Sequence, residues 1–154
     1  TKVYVVEHGV VALSHNIPRG GQDVTRTIAT SSGISVSTAE TLKKEHGFMQ
    51  GEGTYDVRSI ELVFSRIFEE TRRALTQYEN AKGKKVECLV LTGGGGVTKQ
   101  LATYAKTFFA LEVKIADPFG KTQAPAFMRP VLEAIGPEFA VAVGLALRKL
   151  EDLG

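Results

Sequence analysis

The sequence predicts an α/β fold. β-rich runs lie near both ends of the chain, and helix-periodic stretches lie between and after them. One nearly all-apolar strand enters a helix through a four-glycine turn. Such a strand, Val86–Leu91, is expected at the centre of a sheet and buried on both faces.

Lys2–Glu7 and Val10–Ser14 form two β-rich runs split by His8-Gly9, the pattern of a hairpin. Asn16–Gly21 makes a turn: Pro18 fixes φ, and Gly20-Gly21 tolerate φ above zero. Asp23 is placed to cap a helix over Val24–Ala29. Ser37-Thr38-Ala39-Glu40 has the form of a capping box opening a second helix that runs to His46-Gly47. Residues 48–56 are polar and glycine-interrupted, as in a loop. In the longest predicted helix Ile60, Phe64, Ile67, Phe68, Leu75 and Tyr78 share one face. After the glycines, Val97, Leu101, Tyr104, Ala105 and Phe108 recur at helical spacing, placing the helix start at Val97. Glu112–Ala116 reads as a short strand ended by Asp117-Pro118-Phe119-Gly120. A short helix at Val131–Ile135 is expected to stop at Gly136-Pro137. A last helix then starts at about Glu138 and presents Phe139, Val143, Ala146, Leu147 and Leu150.

Composition narrows the function classes. The 154 residues carry 19 basic and 17 acidic side chains, a net charge of +2, so no strong field points to nucleic acid or an anionic membrane. The longest unbroken apolar run, Phe139–Leu147, is short for a membrane span. No signal peptide precedes Thr1, which points to a cytoplasmic location. A start without methionine fits a fragment. The single Cys88 reads as a small buried hydrophobe, and the three scattered histidines offer no metal spacing.

Gly93–Gly96 stand where a strand meets a helix. Without Cβ atoms they let a ligand approach backbone N–H groups at the positive end of the helix. The same glycines also serve a turn that needs only their φ angles. GGGG matches neither the P-loop nor the GxGxxG pattern.

Several segments together resemble a known family: IPRGGQDVTRTIA (17–29), AETLKKEHG (39–47), LVLTGGGGVTKQLATYAKTF (89–108), then ADPF and FAVAVGLALR (139–148). Their order is similar to the second half of actin-like (ribonuclease H-like) ATPases of the FtsA type, most closely to the PilM family of type IV pilus assembly proteins. The resemblance implies a mixed sheet with flanking helices, subdomain 2A over 1–30 and 85–154, and an inserted subdomain 2B over 31–84. It implies ATP as ligand, with magnesium ligands and the first phosphate loop outside these residues. Gly93, Gly94 and Gly95 match the adenosine motif, and Val97 is placed against the base. Glu40 and Lys43 match the ribose-binding pair, and Gly21 with Gly20 matches the turn beneath the phosphates.

The spacing of the pair is physically sensible, since i and i+3 share a helix face and offer an acceptor and a donor to a diol. The competing role for Glu40 is to fold back on Ser37 in the capping box. No catalytic residue is identified, and hydrolysis by this chain alone is not expected. The family's second phosphate motif lies on a strand before Lys2, between the strands at Val3–Val6 and Val86–Leu91. Without it those two strands are expected to pair directly or to take a strand from a neighbouring chain.

The functional expectation is a nucleotide-binding piece of a cytoplasmic scaffold for type IV pilus assembly. It would reach inner-membrane assembly proteins through subdomains outside this sequence, with no direct insertion into the membrane, and could self-associate through the incomplete sheet. The alternatives are an FtsA-like filament-forming protein, and a sugar- or acyl-kinase-like enzyme for which Asp23 is the one carboxylate near a glycine turn.

Overall fold

The computed structural model describes residues 1–51, 55–120 and 122–151, without the side chains of 150 and 151. The chain folds as a mixed α/β structure in the order β1 (Lys2–Glu7), β2 (Val10–Asn16), α1 (Gly21–Ser32), α2 (Val36–His46), α3 (Val57–Lys82), β3 (Cys88–Leu91), α4 (Leu101–Phe109), β4 (Glu112–Ile115) and α5 (Arg129–Glu151). A 3-10 turn at Ala126–Met128 leads into α5.

The hairpin forms as the His8-Gly9 signal requires. Both residues have positive φ, 51° and 80°, which matches the twist of the antiparallel strands they join. A bulge shifts the register between Val5 and Val6. Glu7 anchors the hairpin to the far end of α3 through Lys84 and a 3.2 Å bond from the Tyr78 hydroxyl.

Helix α3 is the spar of the molecule. Asp56 caps it by accepting from the Arg58 N–H, and Gly83 closes it in the left-handed conformation. All six residues expected on its inner face are buried. Ile60, Phe64, Ile67 and Phe68 share one core with Val24 and Ile28 of α1, Ala39 of α2, and Leu101 and Ala105 of α4. Each valine, leucine, isoleucine or phenylalanine among these contributes about 1.5–3 kcal/mol by burial. Farther along α3, Leu75 and Tyr78 pack against Val5, Leu13 and Val86.

The sheet differs from expectation. β1 pairs only with β2, and β3 pairs in parallel only with β4, so there are two separate two-stranded sheets. The direct pairing expected between the strands at Val3–Val6 and Val86–Leu91 does not occur. Val3 and Val5 of β1 and Leu89 and Leu91 of β3 all pack on the core built around α3. Each strand therefore satisfies its inner face against helices and keeps one edge unpaired. β3 is also shorter than expected, and it is not buried on both faces, because Val90 is 56% exposed on the side away from α3. Cys88 is half-buried rather than buried.

Helix ends also moved. α1 extends to Gly21–Ser32, and its N-cap is Gly20 rather than Asp23, which lies within the first turn and reaches back to accept from the Gly20 N–H at 2.8 Å. α2 is capped by Ser35, whose Oγ accepts from the Thr38 N–H at 3.1 Å, not by Ser37. α4 begins at Leu101, four residues after Val97, because Gln100 takes a left-handed φ of 63° and the residues before it form consecutive turns. The expected break at Gly136-Pro137 is absent, and α5 runs through it. Proline has a helical φ, and Gly136 lacks the Cβ that a following proline ring would crowd. Gly136 is buried, with Pro118 and Phe119 where a Cβ would lie.

α5 otherwise presents an exposed apolar surface including Val131, Ile135, Phe139 and Leu145, which Phe127 of the preceding 3-10 turn extends. By length and composition Ala126–Lys149 is long and apolar enough to cross a membrane, although its longest unbroken apolar run is short. Its midpoint is nevertheless docked, since the Pro137 carbonyl accepts the Gly93 N–H at 2.7 Å. Residues 52–54 of the expected 48–56 loop, and the Leu150 side chain, lie outside the described residues.

Candidate functional site

Two of the expected contact points are brought together across the interface of α1 and α2. Lys43 Nζ donates to Glu40 Oε2 at 2.6 Å, to Thr25 Oγ1 at 2.9 Å and to the Gly21 carbonyl at 3.2 Å. Thr25, buried on α1, also lies 2.9 Å from the Gly21 carbonyl and 2.5 Å from Glu40 Oε2. An ammonium has three donors, and Lys43 uses all of them inside the protein. Glu40 does not fold back on the start of α2, so the capping-box role is not the one it takes. It reaches α1 instead. The Lys43 hydrogen bond, then that of Thr25, holds the Glu40 carboxyl below its ordinary range. Glu40 Oε1 keeps only a distant ion pair, 3.9 Å from Lys44, and the side chain is 39% exposed. It is the open acceptor of the cluster.

The glycine turn is organised unevenly. The Gly93 N–H is taken by the Pro137 carbonyl, which also accepts from Thr92 Oγ1 at 3.2 Å. Gly93 has a φ of 77° and so needs glycine for conformation. Gly94 and Gly95 present open backbone: a Cβ on Gly95 would meet nothing within 4 Å, and one on Gly94 would meet only the Glu138 side chain, 3.8 Å away. Gly96 is buried, and its Cβ would fall 2.8 Å from the Thr92 nitrogen. The fourth glycine therefore tightens the turn rather than loosening it. Val97 is half-buried within the turn and does not start a helix. The Glu138 carboxylate beside Gly94 repels phosphate but can accept from amino or hydroxyl groups of a nucleoside.

Helix α2 connects the two places. At its end, Gly47 packs on Lys99, the Phe48 N–H donates to the Lys99 carbonyl at 3.0 Å, and Lys99 Nζ donates to the Glu45 carbonyl at 2.7 Å. Glu40 and the Gly47 contact are separated by about 10 Å of helix. Thr25, Lys99 and Glu138 were not found by spacing, because each is joined to its partner only by tertiary contact. Among the described residues there is no cluster of side chains suited to a metal ion. A concavity of about 700 Å³ is an open groove along one side of α3 at Arg72–Ala81, away from this site.

The family model of type IV pilus assembly protein PilM matches residues 1–150. The chain belongs to the PilM family. A solved structure described as the PilM-PilN type IV pilus biogenesis complex is similar to it, with 28% identity and a TM-score of 0.76 over 90% of this chain. The chain spans 39% of the length of the matched chain in that structure. Among curated proteins no relative matches.

Proposed function

We propose that this chain is the nucleotide-binding half of an actin-like ATPase that serves as a cytoplasmic scaffold in type IV pilus assembly. The observation that carries the reading is the run of contacts from Gly21 through Lys43 and Glu40 along α2 to Lys99 and the glycine turn. An exposed carboxylate in the middle of this short helix, and the chain leaving the glycine turn packed at its end, support the reading. ATP fits the donor and acceptor set: Gly94 and Gly95 admit adenosine, Glu40 accepts from ribose, and the turn at Gly20-Gly21 lies at the start of α1, whose positive end suits phosphate. Magnesium ligands would come from outside these residues.

On this reading β1, β2, α1, β3, β4, α4 and α5 form subdomain 2A, and α2 with α3 forms most of 2B. The unpaired edges of β1 and β3 fit an actin-like half-domain in which a further strand lies between them. The neighbour named as a PilM-PilN complex supports protein partners in the pilus machinery, reached through chain outside this segment. Nucleotide would act by favouring one arrangement of the lobes over another. Hydrolysis is left to the whole protein.

The test is a thermal melt with and without millimolar ATP. Ligand at 100 times its Kd adds about 2.7 kcal/mol, and even a tenth of that excess moves the midpoint. A midpoint rise that Glu40→Gln abolishes supports the reading. No rise in a folded chain, together with no ATP binding by a longer chain that adds the preceding residues, overturns it.

A further inference from the structure

Thr25 stands 15 residues from Glu40 and 18 from Lys43, yet its hydroxyl is bonded to both. We infer that Thr25 is the positioning residue of the Glu40–Lys43 pair, holding it so that Glu40 Oε1 is the acceptor offered to a ribose hydroxyl. The inference rests on the nucleotide reading above and deepens it.

The geometry leaves little alternative division of roles. Thr25 is buried at 3% exposure, so its hydroxyl does not itself meet a ligand. It accepts one proton from Lys43 and has one proton to give, to Glu40 or to the Gly21 carbonyl. Glu40 Oε2 is fixed between Thr25 and Lys43, which turns the second oxygen away from the α1–α2 interface. Lys43 can donate to a diol only by releasing a partner, and the Gly21 carbonyl at 3.2 Å is its longest bond. Glu40 is therefore the ribose contact, Lys43 the strut and Thr25 the post that fixes both. The ammonium sits above Gly21, 3.6 Å from where a Cβ would be.

The experiment compares the 154-residue chain with Thr25→Val and Thr25→Ser. Binding of ATP and of 2′,3′-dideoxy-ATP is followed by amide chemical shifts at millimolar nucleotide, and the Glu40 carboxyl is titrated by carbon NMR. Thr25→Val should weaken ATP about tenfold, the scale of one hydrogen bond to a charged group, and leave the dideoxy nucleotide unchanged. It should also raise the titration of Glu40, which faces Lys43 and Lys44, and Thr25→Ser should restore both readouts. If Thr25→Val does not fold, Thr25→Ala removes the same hydroxyl without an added methyl.

Equal weakening of both nucleotides, or of neither, in a chain that still prefers ATP overturns the role of Thr25 and leaves the nucleotide reading standing. A wild-type chain that binds the two nucleotides alike overturns the ribose pair and this inference with it. Binding of neither overturns the nucleotide reading itself.

Discussion

Gly47 and Lys99 are in such close contact that a Cβ on Gly47 would lie 2.6 Å from the Lys99 carbonyl oxygen and 2.8 Å from its nitrogen. Gly47 also has a φ of 57°. This is the point where the end of α2 meets the chain leaving the glycine turn. Gly47→Ala combines left-handed strain with a clash against backbone and should cost about 3 kcal/mol. The denaturant midpoint measures it. A loss within experimental error would mean the two segments separate easily.

The four glycines of the turn should respond differently to alanine. Gly96→Ala meets the Thr92 backbone and should lose about 1–3 kcal/mol. Gly95→Ala meets nothing and should change stability by less than about 1 kcal/mol, with a slight gain from reduced freedom of the unfolded chain. If adenosine lies against this backbone, Gly95→Ala will weaken ATP while the melting midpoint without ligand stays put. Equal stability losses at both positions would contradict the uneven packing described here.

Glu40 should give the protein part of its acid sensitivity. Its folded carboxyl lies below the ordinary value of 4.5, chiefly through the Lys43 hydrogen bond and then that of Thr25. A lowered carboxyl contributes stability above the unfolded pKa and loses it as pH falls through the folded value. Lys43→Met should therefore flatten the fall in stability on the acid side of 4.5. Glu79, lowered by the Val86 N–H and Lys85, and Asp56, lowered by its hydrogen bonds from Arg58, contribute with the same sign in both proteins to the remaining slope. An unchanged acid limb in Lys43→Met would remove this account of the pair.

Tyr55 gives the opposite limb. Burial pushes its hydroxyl up to about 12, and it donates to the Gly47 carbonyl beside the His46 ring. A group raised in the folded state contributes stability below its unfolded pKa and loses it as pH rises towards the folded value. Stability should thus fall between about pH 10 and 12, and Tyr55→Phe should remove that part of the fall. At neutral pH Tyr55→Phe leaves the Gly47 carbonyl without its partner and should cost about 1–2 kcal/mol. Ultraviolet titration of the folded chain should show one fewer late-ionising tyrosine in the variant.

Local chemistry was legible wherever neighbours in sequence are also neighbours in space. The His8-Gly9 hairpin and the buried face of α3 follow from turn chemistry and periodicity. The Glu40–Lys43 contact follows from i, i+3 spacing on α2. Helix boundaries were less legible. Gln100 adopts a left-handed conformation that its side chain does not announce, and α5 runs through Pro137, where the preceding Gly136 has no Cβ for the proline ring to crowd.

The sequence by itself determined the α/β class, the family, the apolar faces and the residue types of the candidate site. The tertiary structure decided which groups meet there. It brought Thr25 to Glu40 and Lys43, Lys99 to Gly47 and Pro137 to Gly93, and it left β1 and β3 in separate sheets. The physical reason is that periodicity reports which face of an element is buried, whereas a hydrogen bond between elements depends on packing that places two distant groups within about 3 Å.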